Sequence, residues 1–385
     1  MRDLSSDLVR IAKRENNRKR NYLVVNRLQG KHIPAKPAEA LSMFRALAER
    51  MPQSYAGTRT LVIGFAETAT AIGAALAAAL GSYYIQTTRE NVPEAEYLYF
   101  SEEHSHAAQQ RLVKNDLDLI LPRIDRIVFA EDEITTGKTI LHLVDQLQKD
   151  YRWQGIYTAV SILNGMDTQA MEHYQARNIR LFYLAKTQRE NYESMLAGYV
   201  RTGTYVDARN AALLHTALGE SVPGGPRSFN ERPAAREMEA SGWMDARRLV
   251  CSDVYEQACL RLWEQVRERT GVLSDGRMLV LGTEEFMYPA LLCAAHMAEN
   301  GADVRFHATT RSPIEVYEEE QYPLHVRYEL PSVYDKNRRT FVYDLDRYDR
   351  VLIFTDAHNT EREGVDALVR AVSLQNENID IVRWC

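Results

Sequence analysis

At 385 residues the chain has room for about two to three domains, and its 45% hydrophobic and 26% charged content is that of an ordinary soluble globular protein. A net charge of −6 leaves no basic footprint, which argues against a nucleic-acid partner. The four cysteines, Cys251, Cys259, Cys293 and Cys385, form no C-x-x-C pair and no metal-ligand spacing, so they read as free thiols of a reducing, cytoplasmic compartment.

Residues 1–20 are polar and read as a helix ending in the charge cluster Arg14 to Arg20. Arg2, Asp3, Asp7, Arg10 and Lys13 stand there without an apolar core, so the segment is no signal peptide. Tyr22-Leu23-Val24-Val25 reads as a strand. Gly30-Lys31-His32-Ile33-Pro34 is a loop carrying a cation and an imidazole, and helical periodicity then runs from Pro37 to Met51. Leu61-Val62-Ile63 is a buried strand leading into Gly64-Phe65-Ala66-Glu67-Thr68-Ala69-Thr70 and an alanine-rich helix. Gly64 suits a tight turn and close backbone approach. Glu67 suits either the helix's first turn or a ligand. The apolar run Ala69 to Leu80 is too short to span a bilayer, so no membrane partner is expected.

Tyr83-Tyr84-Ile85-Gln86 is the next strand, ending in Thr87-Thr88-Arg89-Glu90. Arg89 at a strand end is a candidate for phosphate, with an ion pair to Glu90 as the alternative. Residues 91–110 are polar, contain Glu103, His104 and His106, and have the length of a lid over 91–107. The two histidines lack a third metal ligand.

The most informative stretch is Ile127-Val128-Phe129-Ala130-Glu131-Asp132-Glu133-Ile134-Thr135-Thr136-Gly137-Lys138-Thr139. It reads as a buried strand, an acid pair (Glu131 and Asp132) and a hydroxyl-rich turn. Ile140, Leu141, Val144 and Leu147 then recur at helical spacing. A strand, a small-residue loop and a helix N-terminus together make an anion site. The ending Gly137-Lys138-Thr139 matches a P-loop, but the first glycine of that motif would fall on Asp132, whose carboxylate repels a triphosphate. A nucleotide phosphotransferase is therefore the weaker reading. Acids followed by T-T-G-x-T suit a ligand with hydroxyls at one end and one phosphate at the other, such as ribose 5-phosphate.

Ile156 to Leu163 and Arg180 to Leu184 supply two more strands. The alternation gives an α/β fold: a mostly parallel sheet with helices on both faces and sites at the strands' carboxyl ends. Residues 221–236 read as a linker, dividing a domain at 1–220 from one at 237–385. The second is an echo of the first. Met278 to Gly282 echoes Leu61 to Gly64, Val304 to Arg311 echoes the strand ending in Thr87-Thr88-Arg89, and Val351 to Asp356 echoes Ile127 to Asp132. The last echo keeps one acid, Asp356, and lacks the glycine turn, so a degenerate second α/β copy is expected.

The central stretch resembles the phosphoribosyl-pyrophosphate (PRPP) motif of type I phosphoribosyltransferases. With Gly30 to Pro34, Gly64 to Ala69, Thr87 to Glu90, Glu103 to His106 and Thr310-Arg311-Ser312-Pro313, nearly the whole chain is similar to one group. These are the orotate-type enzymes of bacterial tellurite-resistance and stress genes, with a C-terminal domain named for T-R-S-P. The resemblance implies transfer of phosphoribosyl from PRPP to a base-like acceptor with Mg²⁺, to make a nucleotide-like metabolite. It implies ribose hydroxyls on Glu131 and Asp132, with the metal held indirectly through those hydroxyls and water. It places the 5-phosphate on Thr135, Thr136, Gly137, Lys138 and Thr139. Pyrophosphate falls to Gly64, Phe65, Ala66, Glu67, Thr88 and Arg89. Lys31 and His32 suit a base-binding hood, and Glu103, His104 and His106 a mobile lid. A neighbouring subunit completes each orotate-type site, so a homodimer, or the second half with Arg311 as built-in partner, is implied. A PRPP sensor without chemistry is the alternative.

Overall fold

Runs of four to nine residues buried on both sides become parallel strands, and this chain has two sets of them. A computed structural model of the chain describes residues 8–16, 20–100, 110–187, 192–209, 235–271, 276–358 and 362–385.

In the first set the order across the sheet is Val250–Cys251, Tyr83–Gln86, Thr60–Gly64, Arg126–Ile134, Ile156–Asn164 and Arg180–Lys186. All neighbours are parallel except the short Val250–Cys251 edge, which pairs antiparallel with Tyr84 and Tyr83. Successive residues point to opposite faces. Leu61, Ile63, Ile127 and Phe129 share a core with Leu143, Val144 and Leu147 of the Lys138–Tyr151 helix. On the other face the Thr70–Leu80 helix lies against the strands ending at Gly64 and Gln86, and the Tyr84 hydroxyl donates to Thr70 O at 2.7 Å. Helices therefore cover both faces, as the α/β reading requires. The antiparallel hairpin Tyr97–Phe100 and Gln110–Val113 branches off between strands.

The second set is a five-stranded parallel sheet in the order Arg236–Ala240, Ile379–Trp384, Arg350–Thr355, Arg277–Gly282 and Asp303–Ala308. The Glu363–Ser373 helix packs Val365, Leu368 and Val372 on Leu279, Ile353 and Ile381. The Tyr288–Glu299 helix lies along Arg277–Gly282 and Asp303–Ala308. The order Asp303–Ala308, Arg277–Gly282, Arg350–Thr355, Ile379–Trp384 repeats the order Tyr83–Gln86, Thr60–Gly64, Arg126–Ile134, Ile156–Asn164. Gly64 pairs with Gln86 and Ala130, and Gly282 with Ala308 and Phe354.

Two compact units interleave along the chain, where the sequence reading divides it once, at 221–236. One contains the described residues of 41–187 and 243–261, the other those of 8–40, 192–242 and 262–385. Of the expected linker, 221–234 lie outside the described residues, and Arg236 already belongs to a strand. Of the helix expected over 1–20, residues 9–13 form a strand instead, paired antiparallel with Tyr22–Asn26, while 1–7 and 17–19 lie outside the described residues. Ile11 and Ala12 are buried in that strand, and tertiary pairing overrides the local polarity. Among the described residues no helix is long and apolar enough to cross a membrane, and all four cysteines are free.

Candidate active site

The strand carrying the acids runs to Ile134, four residues beyond its apolar part. Glu131 pairs with Ser161 and Glu133 with Leu163. Alternation puts these two carboxylates on one face and Asp132 on the other. Asp132 Oδ1 accepts from Thr68 Oγ1 at 2.9 Å, tying the acid to the loop after Gly64. Burial, then the charges of Asp132 and Glu133, hold the Glu131 carboxyl well above the usual carboxylate range. The Tyr174 hydroxyl is pushed up likewise by burial, with the Glu131 charge adding to it.

Gly137 ends the Thr135–Thr136 turn and stands directly before the helix Lys138–Tyr151. Its φ of 71° lies in the left-handed region, and a Cβ there would meet the Tyr174 ring at 2.5 Å. The Tyr174 hydroxyl donates to Gly137 O at 3.0 Å. This glycine thus serves close packing on Tyr174 and a sharp turn, a reason the motif alone does not disclose. Gly137 at the N-cap offers no side chain to cap the helix, while Thr136 and Lys138 are exposed and Lys138 N donates to Thr136 Oγ1 at 3.4 Å. The first turn's N–H groups and the helix's positive end favour an anion here.

The second loop follows Gly64. A Cβ at Gly64 would meet the Tyr84 hydroxyl at 2.7 Å, and one at Gly73 would meet Gly64 Cα at 2.7 Å. The close backbone approach expected of Gly64 is therefore to its own helix. That helix begins at Thr70, with Ala69 at its N-cap and Glu67 two residues before it. Phe65 and Ala66 are buried, as is Glu67. Ala66 N donates to Thr87 Oγ1 at 2.8 Å, and Phe65 N to Ala130 O at 3.1 Å, so the loop is held by both neighbouring strands.

Thr88 is buried and forms an antiparallel bridge with Arg111, Thr88 N donating to Arg111 O at 2.9 Å. Arg111 Nη2 donates to Asn91 Oδ1 at 2.9 Å and to Arg89 O at 3.4 Å, and its guanidinium lies 4.2 Å from the Tyr97 ring centroid. Arg89 is half-buried beyond the strand end. The structure thus joins Asp132, the Gly64 loop and Thr87, gives the motif residues Thr68 and Thr87 a specific contact each, and adds Arg111 and Tyr174, which lie in no motif and are known only by their contacts. Glu103, His104 and His106 lie outside the described residues.

Lys31, His32 and Arg311 belong to the second unit. Buried Lys31 donates from Nζ to Glu284 O at 2.7 Å and Thr309 O at 2.9 Å, and Arg311 Nε donates to Glu284 Oε2 at 2.7 Å. Lys31 and Arg311 thus meet on one loop. His32 is buried in the same unit.

Residues 8–187 match the family model described as phosphoribosyl transferase, and residues 250–372 match the TRSP domain described as C-terminal to it. Adenine phosphoribosyltransferase from Rhodothermus marinus is similar at 15% identity, over 47% of this chain and 96% of its own, with a TM-score of 0.35. The Giardia lamblia enzyme complexed with 9-deazaadenine gives 14% identity, 48% and 96% coverage, and 0.35. Orotate phosphoribosyltransferase from Aeropyrum pernix gives 17% identity, 50% and 94% coverage, and 0.30. No curated protein matches the chain significantly.

Proposed function

We propose that this chain, its first half matching the phosphoribosyl transferase family and the rest the TRSP domain, is a phosphoribosyltransferase. It would move 5-phosphoribosyl from PRPP to a base-like acceptor with release of pyrophosphate, in the synthesis of a nucleotide-like metabolite. The observation that carries the reading is the ordered pair of features on one strand: carboxylates at its end, then a left-handed glycine opening an uncapped helix N-terminus. Such a site can accept hydroxyls at one end and a phosphate at the other.

In the reaction the bond from ribose C1 to the pyrophosphate oxygen breaks and one from C1 to the acceptor forms, with positive charge on the ribose in between. Asp132, fixed by Thr68, would orient the ribose hydroxyls and stabilise that charge. Glu131, held back from ionising by burial and two acidic neighbours, would hydrogen-bond the ribose hydroxyls alongside it. Thr135, Thr136 and the first N–H groups of the helix would hold the 5-phosphate, Lys138 adding charge. Backbone N–H groups of the Gly64 loop and Arg89 would take the pyrophosphate.

A Mg²⁺ arriving with PRPP would be held by Glu131 and Asp132 only indirectly, through ribose hydroxyls and water. When bound it would neutralise charge on the leaving pyrophosphate.

The test is PRPP-dependent pyrophosphate release by the purified full chain with Mg²⁺ and a panel of nucleobases. Release with one base supports the reading. Tight PRPP binding without release for any base assigns a sensing role instead, and no PRPP binding removes both.

A further inference from the structure

The second unit repeats the geometry around the proposed pyrophosphate loop of the first. Each loop follows a glycine strand end and each helix begins six residues later, at Thr70 and at Tyr288. Thr87 N donates to Gly64 O at 2.9 Å, and Thr309 N to Gly282 O at 3.0 Å. Ala66 N donates to Thr87 Oγ1 at 2.8 Å, and Glu284 N to Thr309 Oγ1 at 3.0 Å. Thr88 bridges Arg111 antiparallel, and Thr310 bridges Phe341 in the same sense. The register therefore equates Ala66 with Glu284, Arg89 with Arg311 and Asp132 with Asp356. The second loop adds a turn of its own, Phe286 N donating to Thr283 O at 2.8 Å.

The two loops share only one residue, Glu67 in the first and Glu285 in the second, and the difference that bears on an anion is at the position before it. Where the first loop has alanine, the second has Glu284, held at a φ of 47° with its side chain fully buried. Left-handed backbone is uncommon outside glycine and marks a side chain held in place by its surroundings. Those surroundings are cationic and hydroxyl groups, with the buried Glu285 carboxylate also on Arg311, 3.3 Å from its Nη2. Arg311 Nε reaches Glu284 Oε2 at 2.7 Å, Arg338 Nη2 reaches the same oxygen at 3.1 Å, and the Ser332 hydroxyl bonds to Oε1. Lys31 fixes the backbone of the same loop. Two guanidiniums and a hydroxyl converging on one buried oxyanion are what a phosphoryl group would ask for.

We propose that the second unit retains an anion cradle and that the Glu284 carboxylate fills it, standing in for a phosphoryl ligand. The inference rests on the reading of the Gly64 loop as a pyrophosphate site. The intact chain then binds no pyrophosphate in the second unit, and removing Glu284 uncovers a site for phosphoryl oxyanions.

The test titrates the full chain with inorganic pyrophosphate by calorimetry, comparing wild type, Glu284→Ala and Glu284→Ala/Arg311→Ala. The expected result is one more equivalent bound by Glu284→Ala than by wild type, lost again in the double variant. A folded Glu284→Ala with wild-type stoichiometry overturns the proposal, as does a wild-type equivalent that Arg311→Ala removes. If Glu284→Ala does not fold, Glu284→Gln keeps the shape and removes the charge. Pyrophosphate should then raise its Tm more than that of wild type, and no extra rise is equally decisive against the idea. Absence of any binding by wild type counts against the first site alone, since the second is read from the difference.

Discussion

Replacing Gly137 by alanine tests whether the turn before the phosphate-side helix is shaped by Tyr174. The new Cβ would lie 2.5 Å from the ring's Cε2 and 2.7 Å from the hydroxyl, on a residue whose φ is 71°. A left-handed non-glycine residue costs about 1–2 kcal/mol. Overpacking against a buried ring adds about 1–3 kcal/mol. The total, about 2–5 kcal/mol, corresponds at about 2–4 °C per kcal/mol to a fall in Tm on the order of 10 °C. Thermal and urea unfolding followed by circular dichroism would measure it. The decisive assay is a double-mutant cycle with Tyr174→Ala, which removes the ring and so the overlap. The double variant should be less destabilised than the sum of the singles by about 1–3 kcal/mol. Additivity within about 0.5 kcal/mol, or wild-type melting of Gly137→Ala, would refute the argument. A larger residue at Gly137 would report on this packing and not on phosphate contact.

Asp132→Asn keeps size and removes charge, so turnover should fall about a hundredfold with PRPP affinity changed far less, read as kcat against Kd in the pyrophosphate-release assay. Arg248 donates through Nε and Nη2 to buried Asp116 at 2.8 Å each, and Leu249 N adds a third bond at 2.8 Å. Arg248→Ala should destabilise the first unit by about 1–2 kcal/mol, discounted for the half-exposed guanidinium, as a urea titration would show. His307 is buried between Gly30 O and Tyr343 O, and burial above all lowers its pKa from 6.5 to about 4. The unfolded chain takes up that proton first as pH falls, so the stabilisation present above 6.5 is lost toward 4, on the order of 3 kcal/mol. The stability difference between wild type and His307→Asn should shrink over that pH window, and a constant difference would sink the assignment.

The parallel strands were legible because each has an apolar centre: Leu61-Val62-Ile63 stands in Thr60–Gly64, buried at every position, and the spacing from strand to turn to helix identifies the phosphate-side loop. The strand Val9–Lys13 was not, because its burial depends on pairing and not on composition. Gly137 was found by its motif but not explained by it, since Tyr174 lies 37 residues away. Glu284 was hidden more deeply. Three strands of the second half echo the first and the acid strand visibly lacks its chemistry, whereas a change of equal weight lies in the loop after Gly282, where glutamate stands in place of Ala66. A carboxylate's meaning there depends on Arg311, Arg338 and Ser332 reaching it from other strands' ends. The family boundary at residue 187 also hides that residues 8–40 pack in the second unit.

Interleaving of the units sets a clock on synthesis. Lys31 finds its carbonyl partners 253 and 278 residues further along the chain. At about 5–20 residues per second, a ribosome needs roughly 14–56 s to deliver the later one. Until then the N-terminal strand pair has emerged without its later partners, such as Ile314, and the second unit cannot close. That unit therefore finishes folding only when nearly all of the chain has been made, and a ribosome stalled at the middle leaves the described residues of 8–40 without their native partners.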